Sequence, residues 1–247
     1  PDGYVFLNGE DDLLATVKKP WKNEIIRFGM SKKDAIYATD VVNKGLLGSE
    51  AVIHVADTQF PVKVPLPGIH MVLNALAATA VGWQLGLTTE QIAKGIAQVQ
   101  AGAGRSHVIE TPEYILIDDC YNANPVSMKA AIDLLGTALQ RKVAVLGDMF
   151  ELGKDEAILH AQIGEYAMTH GVDVLICIGE LSKNMYERAV ETLSGKEHGS
   201  REIYYFPTRE EAMIQLPHIL HTGDAVLIKA SHSMKFEEIV EQSTGRI

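Results

Sequence analysis

Tyr114-Ile115-Leu116-Ile117-Asp118-Asp119-Cys120-Tyr121-Asn122-Ala123-Asn124-Pro125 runs from unbroken apolar residues straight into a polar cluster. The apolar half predicts a buried strand over 114–117, and the periodic stretch after the Pro predicts a helix over 126–139. The pattern then recurs downstream. Strands are expected over 143–146, 174–178, 203–206 and 225–228, and helices over 156–170, 182–192, 209–216 and 235–242. Continuous apolar strands alternating with amphipathic helices imply an α/β fold, a mostly parallel sheet covered by helices on both faces. Such sheets bind ligands beyond the C-terminal strand ends. The polar clusters 118–124, 147–153, 179–182 and 229–233 all fall there.

Upstream, Ala101-Gly102-Ala103-Gly104 reads as a short linker, so the 247 residues divide into domains over 1–104 and 105–247. The first domain is mixed. A strand is expected over 4–7 and a short helix over 11–19. Apolar runs at 25–28, 35–41, 51–55 and 60–64 suggest an antiparallel patch. Pro67-Gly68 opens a helix through about 85, and a second covers 89 to about 99. A chain that opens on a core strand three residues from its first residue, without Met, is expected to be cut from something longer.

Composition narrows the function classes. The net charge is -10 and no long basic run occurs, so a sequence-independent grip on nucleic acid or an anionic membrane is not expected. No apolar run reaches the length of a membrane span, and no signal sequence opens the chain. Cys120 and Cys177 are too few for a disulfide framework or a zinc site, which fits a reducing cytoplasm. Three common motifs are missing: Gly-x-x-x-x-Gly-Lys-Ser/Thr, Gly-x-Gly-x-x-Gly after a strand, and Gly-x-Ser-x-Gly.

The residues leave several roles open. Asp118-Asp119 at a strand end is either a solvated pair beside a helix capped by Asn124 or Ser127, or a ligand loop whose carboxylate accepts from a ribose diol. His70 and Asn74 share a helix face among apolar neighbours. A buried Asn there suits the edge of an adenine, or bonds to nearby backbone, and the His sits equally well at a domain seam. Arg105 can stack on a base, clamp a carboxylate or form a surface ion pair. Asp148 lies in an acidic loop between Gly147 and Gly153. Lys229 with Ser231 and Ser233 follows the last strand, where the serines can also cap a helix.

Together these stretches resemble the Mur ligase family, which builds the peptide of peptidoglycan. Leu7-Asn8-Gly9-Glu10-Asp11-Asp12 is similar to the family's Asn-x-Asp-Asp strand end, with Glu10 replacing the first usual acid. Gly68-Ile69-His70-Met71-Val72-Leu73-Asn74-Ala75 is similar to its Gly-x-His-Asn-x-x-Asn-Ala helix, with Met71 where an Asn is usual. Gly104-Arg105 matches the Gly-Arg that begins its C-terminal domain. Most discriminating are 118–125 with Ser127-Met128, 146–153 with His160, and 226–231.

The resemblance implies that 1–104 is the second half of an α/β ATPase domain and 105–247 a Rossmann-like ligase domain. A UDP-binding domain, a phosphate loop and the main Mg²⁺ ligands would precede Pro1, leaving this chain inactive alone. The implied enzyme is a cytoplasmic bacterial ligase, ATP-dependent and ADP-forming. With ATP and Mg²⁺ it would activate UDP-N-acetylmuramoyl-tripeptide as an acyl phosphate, which the amine of D-alanyl-D-alanine attacks. Asn74, with His70 beside it, would contact adenine, Arg105 the base or phosphates, and Asp119 the ribose. Asn122 and Asn124 would line a cleft, and Asp148, Lys229 and Ser231 would face the dipeptide. No catalytic residue or metal ligand is assigned. Competing readings are a sister Mur-type ligase, a folylpolyglutamate synthetase-like enzyme (which shares the architecture but not this wording) and a non-catalytic nucleotide-binding module.

Overall fold

A computed structural model describes residues 3–17, 22–194 and 200–245. Two compact units part between Gln100 and Ala101, just ahead of the expected Gly104 boundary.

In the first unit the described strands are β1 (Val5–Asn8), β2 (Ile25–Gly29), β3 (Ile36–Asn43), β4 (Ser49–Val55) and β5 (Thr58–Val64), hydrogen-bonded in that order. The antiparallel expectation holds for β3, β4 and β5 only, because β1, β2 and β3 run parallel. Helix α1 (Asp12–Ala15) lies between β1 and β2, so the chain re-enters the sheet in the same direction. Alternation of apolar residues looks alike in both pairings. Helix α1 stops at Ala15, and residues 18–19 of the expected helix lie outside the described residues.

Helix α2 (His70–Gln84) starts later than expected, since Gly68 at φ +100° is outside helical geometry. Its Val72, Leu76 and Ala80 pack with Ile53, Val62 and Val64 of the sheet. Helix α3 (Thr89–Ala97) opens on a reciprocal cap between Thr88 and Gln91 and buries Ile92 and Ile96.

The second unit has the expected α/β alternation. Its elements are β6 (His107–Glu110), β7 (Ile115–Asp118), α4 (Pro125–Gly136), β8 (Lys142–Gly147), α5 (Glu156–Thr169), β9 (Val174–Ile178), α6 (Ser182–Leu193), β10 (Glu202–Phe206), α7 (Arg209–Ile219), β11 (Ala225–Lys229) and α8 (Glu237–Ser243). Sheet order is β10-β9-β8-β11-β7-β6, parallel except for the antiparallel edge β6. One face carries Leu116, Val143, Val145, Ile176 and Val226 against Leu216 of α7 and Ile239 of α8. Residues one step along, such as Ile117, Ala144 and Leu175, turn to the other face. There α4 packs on β8 and β11, and α6 on β9. Each fully buried Leu, Ile or Val contributes roughly 1.5–3 kcal/mol of transfer free energy.

Asn124 begins α4 with a capping box. Its side chain accepts from Ser127 N at 2.9 Å, and Ser127 Oγ accepts from Asn124 N at 3.1 Å. The helix-cap role held open for Asn124 is therefore the one seen. Asn124→Ala is expected to cost about 1 kcal/mol, lowering the melting temperature by about 3 °C in a thermal melt followed by circular dichroism.

Candidate functional site

Strand β11 lies between β7 and β8, so the loops leaving the C-terminal ends of these three strands are neighbours. The acids of the first loop bind backward onto the turn over 104–106. Asp118 Oδ2 accepts from Gly104 N at 3.0 Å, and Asp119 Oδ1 accepts from Ser106 N at 2.7 Å. Tyr121 N closes the turn on Gly104 O at 2.9 Å. Gly104 has φ +70°, and a Cβ there would sit 2.9 Å from Tyr121 N, so only glycine fits.

The turn delivers Arg105 to Tyr121, with the guanidinium carbon 4.2 Å from the ring centroid, a cation–π contact. His232, from the loop after β11, has its ring 5.5 Å from the same Tyr121. Tyr121 is 47% exposed, and Arg105 and His232 are exposed as well. The sequence offers no signal that singles out Tyr121 or His232 within their polar clusters.

Lys229, expected to face a dipeptide, is turned inward. It is 2% exposed, and its ammonium donates to Asp119 Oδ2 at 2.6 Å and to Asn122 O at 2.7 Å. The exposed Asn122 accepts from Ala123 N through its side chain and keeps its amide donors.

Asp148 and Ser231, also expected to face a dipeptide, are likewise buried and hydrogen-bonded within the protein. Asp148 is 4% exposed, and its Oδ1 accepts from both Ser182 N and Ser182 Oγ at 2.7 Å. Its carbonyl accepts from Ser231 N, while Ser231 Oγ accepts from Phe150 N at 2.9 Å. Met149 N donates to His160 Nε2 at 2.9 Å, so Nδ1 carries the proton toward Glu156 O at 2.7 Å. The loop after β8 is thus tied from three sides, and Glu151 sits within it at φ +63°. Ser106 and Ser182 went unassigned in the sequence. Ser182 was signalled by the polar cluster after β9, whereas nothing marked Ser106.

In the first unit, His70 and Asn74 share the outer face of α2 and both are exposed. Asn74 had been expected among apolar neighbours, yet it stands two positions from buried Val72, roughly 200° around the helix. Its amide contacts Met71 Sδ at 3.3 Å. At the end of β1, Asn8 accepts from Glu10 N, Asp11 caps α1, and Glu10 accepts from Met30 N. Burial, reinforced by Glu10, holds Asp34 above the usual carboxylate range. Among the described residues no group of three or more His, Cys, Asp or Glu side chains is placed to hold a metal ion. No helix of the described residues is long and apolar enough to cross a membrane.

Residues 1–82 match the Mur ligase middle domain, and residues 104–232 match the Mur ligase glutamate ligase domain. The chain belongs to the Mur ligase family. The second match starts at Gly104 of the Arg105 turn and ends at His232, enclosing all three Mur ligase loops described above.

UDP-N-acetylmuramoyl-tripeptide--D-alanyl-D-alanine ligase of Escherichia coli is 32% identical over 97% of this chain and 51% of its own length. The ligase of the same name from Treponema pallidum is 37% identical over 82% of this chain and 42% of its own length. A crystal structure of MurF from Acinetobacter baumannii superposes with a TM-score of 0.86 at 27% identity, covering 99% of this chain and 52% of that one. The chain therefore spans about half the length of the curated relatives it matches.

Both thiols of this Mur ligase chain are buried. Burial raises them well above the usual cysteine range, with the carboxylate of Asp118 adding to this at Cys120 and the charge of Asp148 at Cys177. Ellman's reagent at pH 8 should find no fast-reacting thiol in the native chain and both after denaturation. A rapid native reaction would contradict the buried placement.

Proposed function

We propose that this chain is part of a cytoplasmic ATP-dependent, ADP-forming ligase that adds D-alanyl-D-alanine to UDP-N-acetylmuramoyl-tripeptide. The observation that carries the reading is the family match over 104–232, which encloses the three-loop site, in a chain similar to relatives that carry that ligase's name.

The residues of the second unit suit a nucleoside. Arg105 and Tyr121 offer a stacked, exposed planar surface with a positive charge, suited to a base or a phosphate. Asp119 spends Oδ1 on Ser106 and Oδ2 on Lys229 but, having about four lone-pair sites, can still accept from a ribose diol. Exposed Asn74 and His70 are the proposed adenine contacts of the first unit, and Asn122 is proposed to meet the peptide substrates. Among the described residues no cluster of acidic or imidazole side chains is placed to hold Mg²⁺.

The tripeptide's terminal carboxylate would be activated as an acyl phosphate at the expense of ATP, and the dipeptide amine would displace phosphate. The chain's contribution is to place the nucleotide and shield the site, effects that act through positioning and charge.

The test is phosphate release by the complete protein supplied with ATP and UDP-N-acetylmuramoyl-tripeptide. Release should require D-alanyl-D-alanine, and neither lysine nor meso-diaminopimelate should substitute. Turnover with one of those and none with the dipeptide would replace this reading with a sister ligase. The 247-residue chain alone is expected to show no ATP-dependent turnover.

A further inference from the structure

Lys229 closes β11 beneath the Asp119 loop. Its ammonium lies 2.6 Å from Asp119 Oδ2, 2.7 Å from Asn122 O and 3.4 Å from Asp119 O, so its three donors all have partners within the protein. The opposite oxygen of Asp119 takes the N–H of Ser106, the residue after Arg105. One buried cation therefore joins three segments: the end of β11, the loop between β7 and α4, and the turn that carries Arg105. None of its donors is spare for the carboxylate of a dipeptide.

The charge pattern gives this arrangement a purpose. Asp118 and Asp119 stand side by side where an anionic nucleotide is proposed to bind, and two unbalanced carboxylates there would repel it. Lys229 supplies the countercharge at Oδ2, and the Asp119 side chain stays 14% exposed with lone pairs left for hydroxyl donors. Asp118 is held separately, by Gly104 N and the Cys120 thiol.

We propose that Lys229 is a positioning residue. Its buried ammonium locks Asp119 and the backbone at Asn122 into the shape in which Arg105 and Asp119 receive the nucleoside of ATP, and it does not touch the incoming dipeptide. The inference rests on the nucleotide reading of this loop.

Two measurements on Lys229→Met decide it. The first is hydrogen exchange of single amides in the chain. Ser106 and Tyr121 should exchange about tenfold faster or more, while amides in the centres of β8 and β9 keep their protection. The second is steady-state kinetics in the complete protein. The KM for ATP should rise about tenfold, with the KM for D-alanyl-D-alanine changing less than about twofold.

A dipeptide contact would reverse both results, raising the dipeptide KM and leaving Ser106 and Tyr121 protected, and would overturn the proposal. Should Lys229→Met fail to fold, Asp119→Asn breaks the same ion pair with little change of shape and must give the same pattern of exchange. If the wild-type complete protein shows no ligation, the functional reading falls. The exchange pattern then supports or overturns the clamp by itself.

Discussion

Gly164→Ala is expected to lower the melting temperature of the chain by roughly 10 °C, equivalent to about 3 kcal/mol. Helices α5 and α6 meet at this glycine. A Cβ placed on Gly164 would lie 2.0 Å from the carbonyl oxygen of Met185 and 2.8 Å from its carbonyl carbon. Both are backbone atoms, so no side chain can swing aside and α6 itself must move. That movement is resisted because Ser182, the first residue of α6, is bound to Asp148. Intrinsic helix propensity pushes the other way, favouring Ala over Gly by about 1 kcal/mol. The sign of the change therefore reports the packing. Gly136→Ala in α4 is the control, because the nearest atom a Cβ there would meet is His170 O at an ordinary 3.7 Å. It should leave the melting temperature unchanged or raise it slightly. A Gly164→Ala melt as high as wild type would show that the helices are not in contact there.

The second large effect is expected at Asp148. Asp148→Ala removes the acceptor of two short bonds and leaves Ser182 N and Oγ without it inside a buried site. Hydrogen bonds to a charged acceptor contribute about 1.5–3 kcal/mol each, and relief from burying the carboxylate offsets part of the loss, so a net cost of about 2–3 kcal/mol is expected. The urea midpoint should fall accordingly with an unchanged slope. Asp148→Asn keeps one acceptor and should recover about half of the difference. Equal midpoints for Ala and wild type would mean that this carboxylate does not hold α6. Gly179 completes the site at φ +114°, since a Cβ there would come within 2.5 Å of Asp148 Oδ1.

Much of the second unit was legible because its strands are covered on both faces and so read as apolar runs. Strand β9 falls on the expected residues, and β7, β8, β10 and β11 lie within one residue at each end. Strand β6 escaped notice because an antiparallel edge strand with only Val108 and Ile109 apolar gives almost no run. In the first unit the apolar runs located strands without revealing direction, and the parallel pairing of β1, β2 and β3 went unseen. The polar clusters marked the right loops, but the role of each side chain within them was less accessible. Lys229 and Asp148 look like exposed loop groups in sequence, because a charged residue after a strand usually is one. Burial becomes evident only when the partner is known, and Asp119 is 110 positions from Lys229.

The residues by themselves determined the alternation of strand and helix, the loops in which chemistry can sit, and the wording that marks a Mur ligase. These depend on periods of two and 3.6 residues and on short contiguous motifs. Only the tertiary structure decided that β11 lies between β7 and β8, so that Lys229 meets Asp119 and His232 meets Tyr121, that β8 lies beside β9, so that Asp148 meets Ser182, and that β6 lies beside β7, so that Arg105 meets Tyr121. Those pairings follow from the order in which distant strands assemble. A carboxylate at a strand end binds whichever donor that order brings within about 3 Å, a separation that no local pattern encodes.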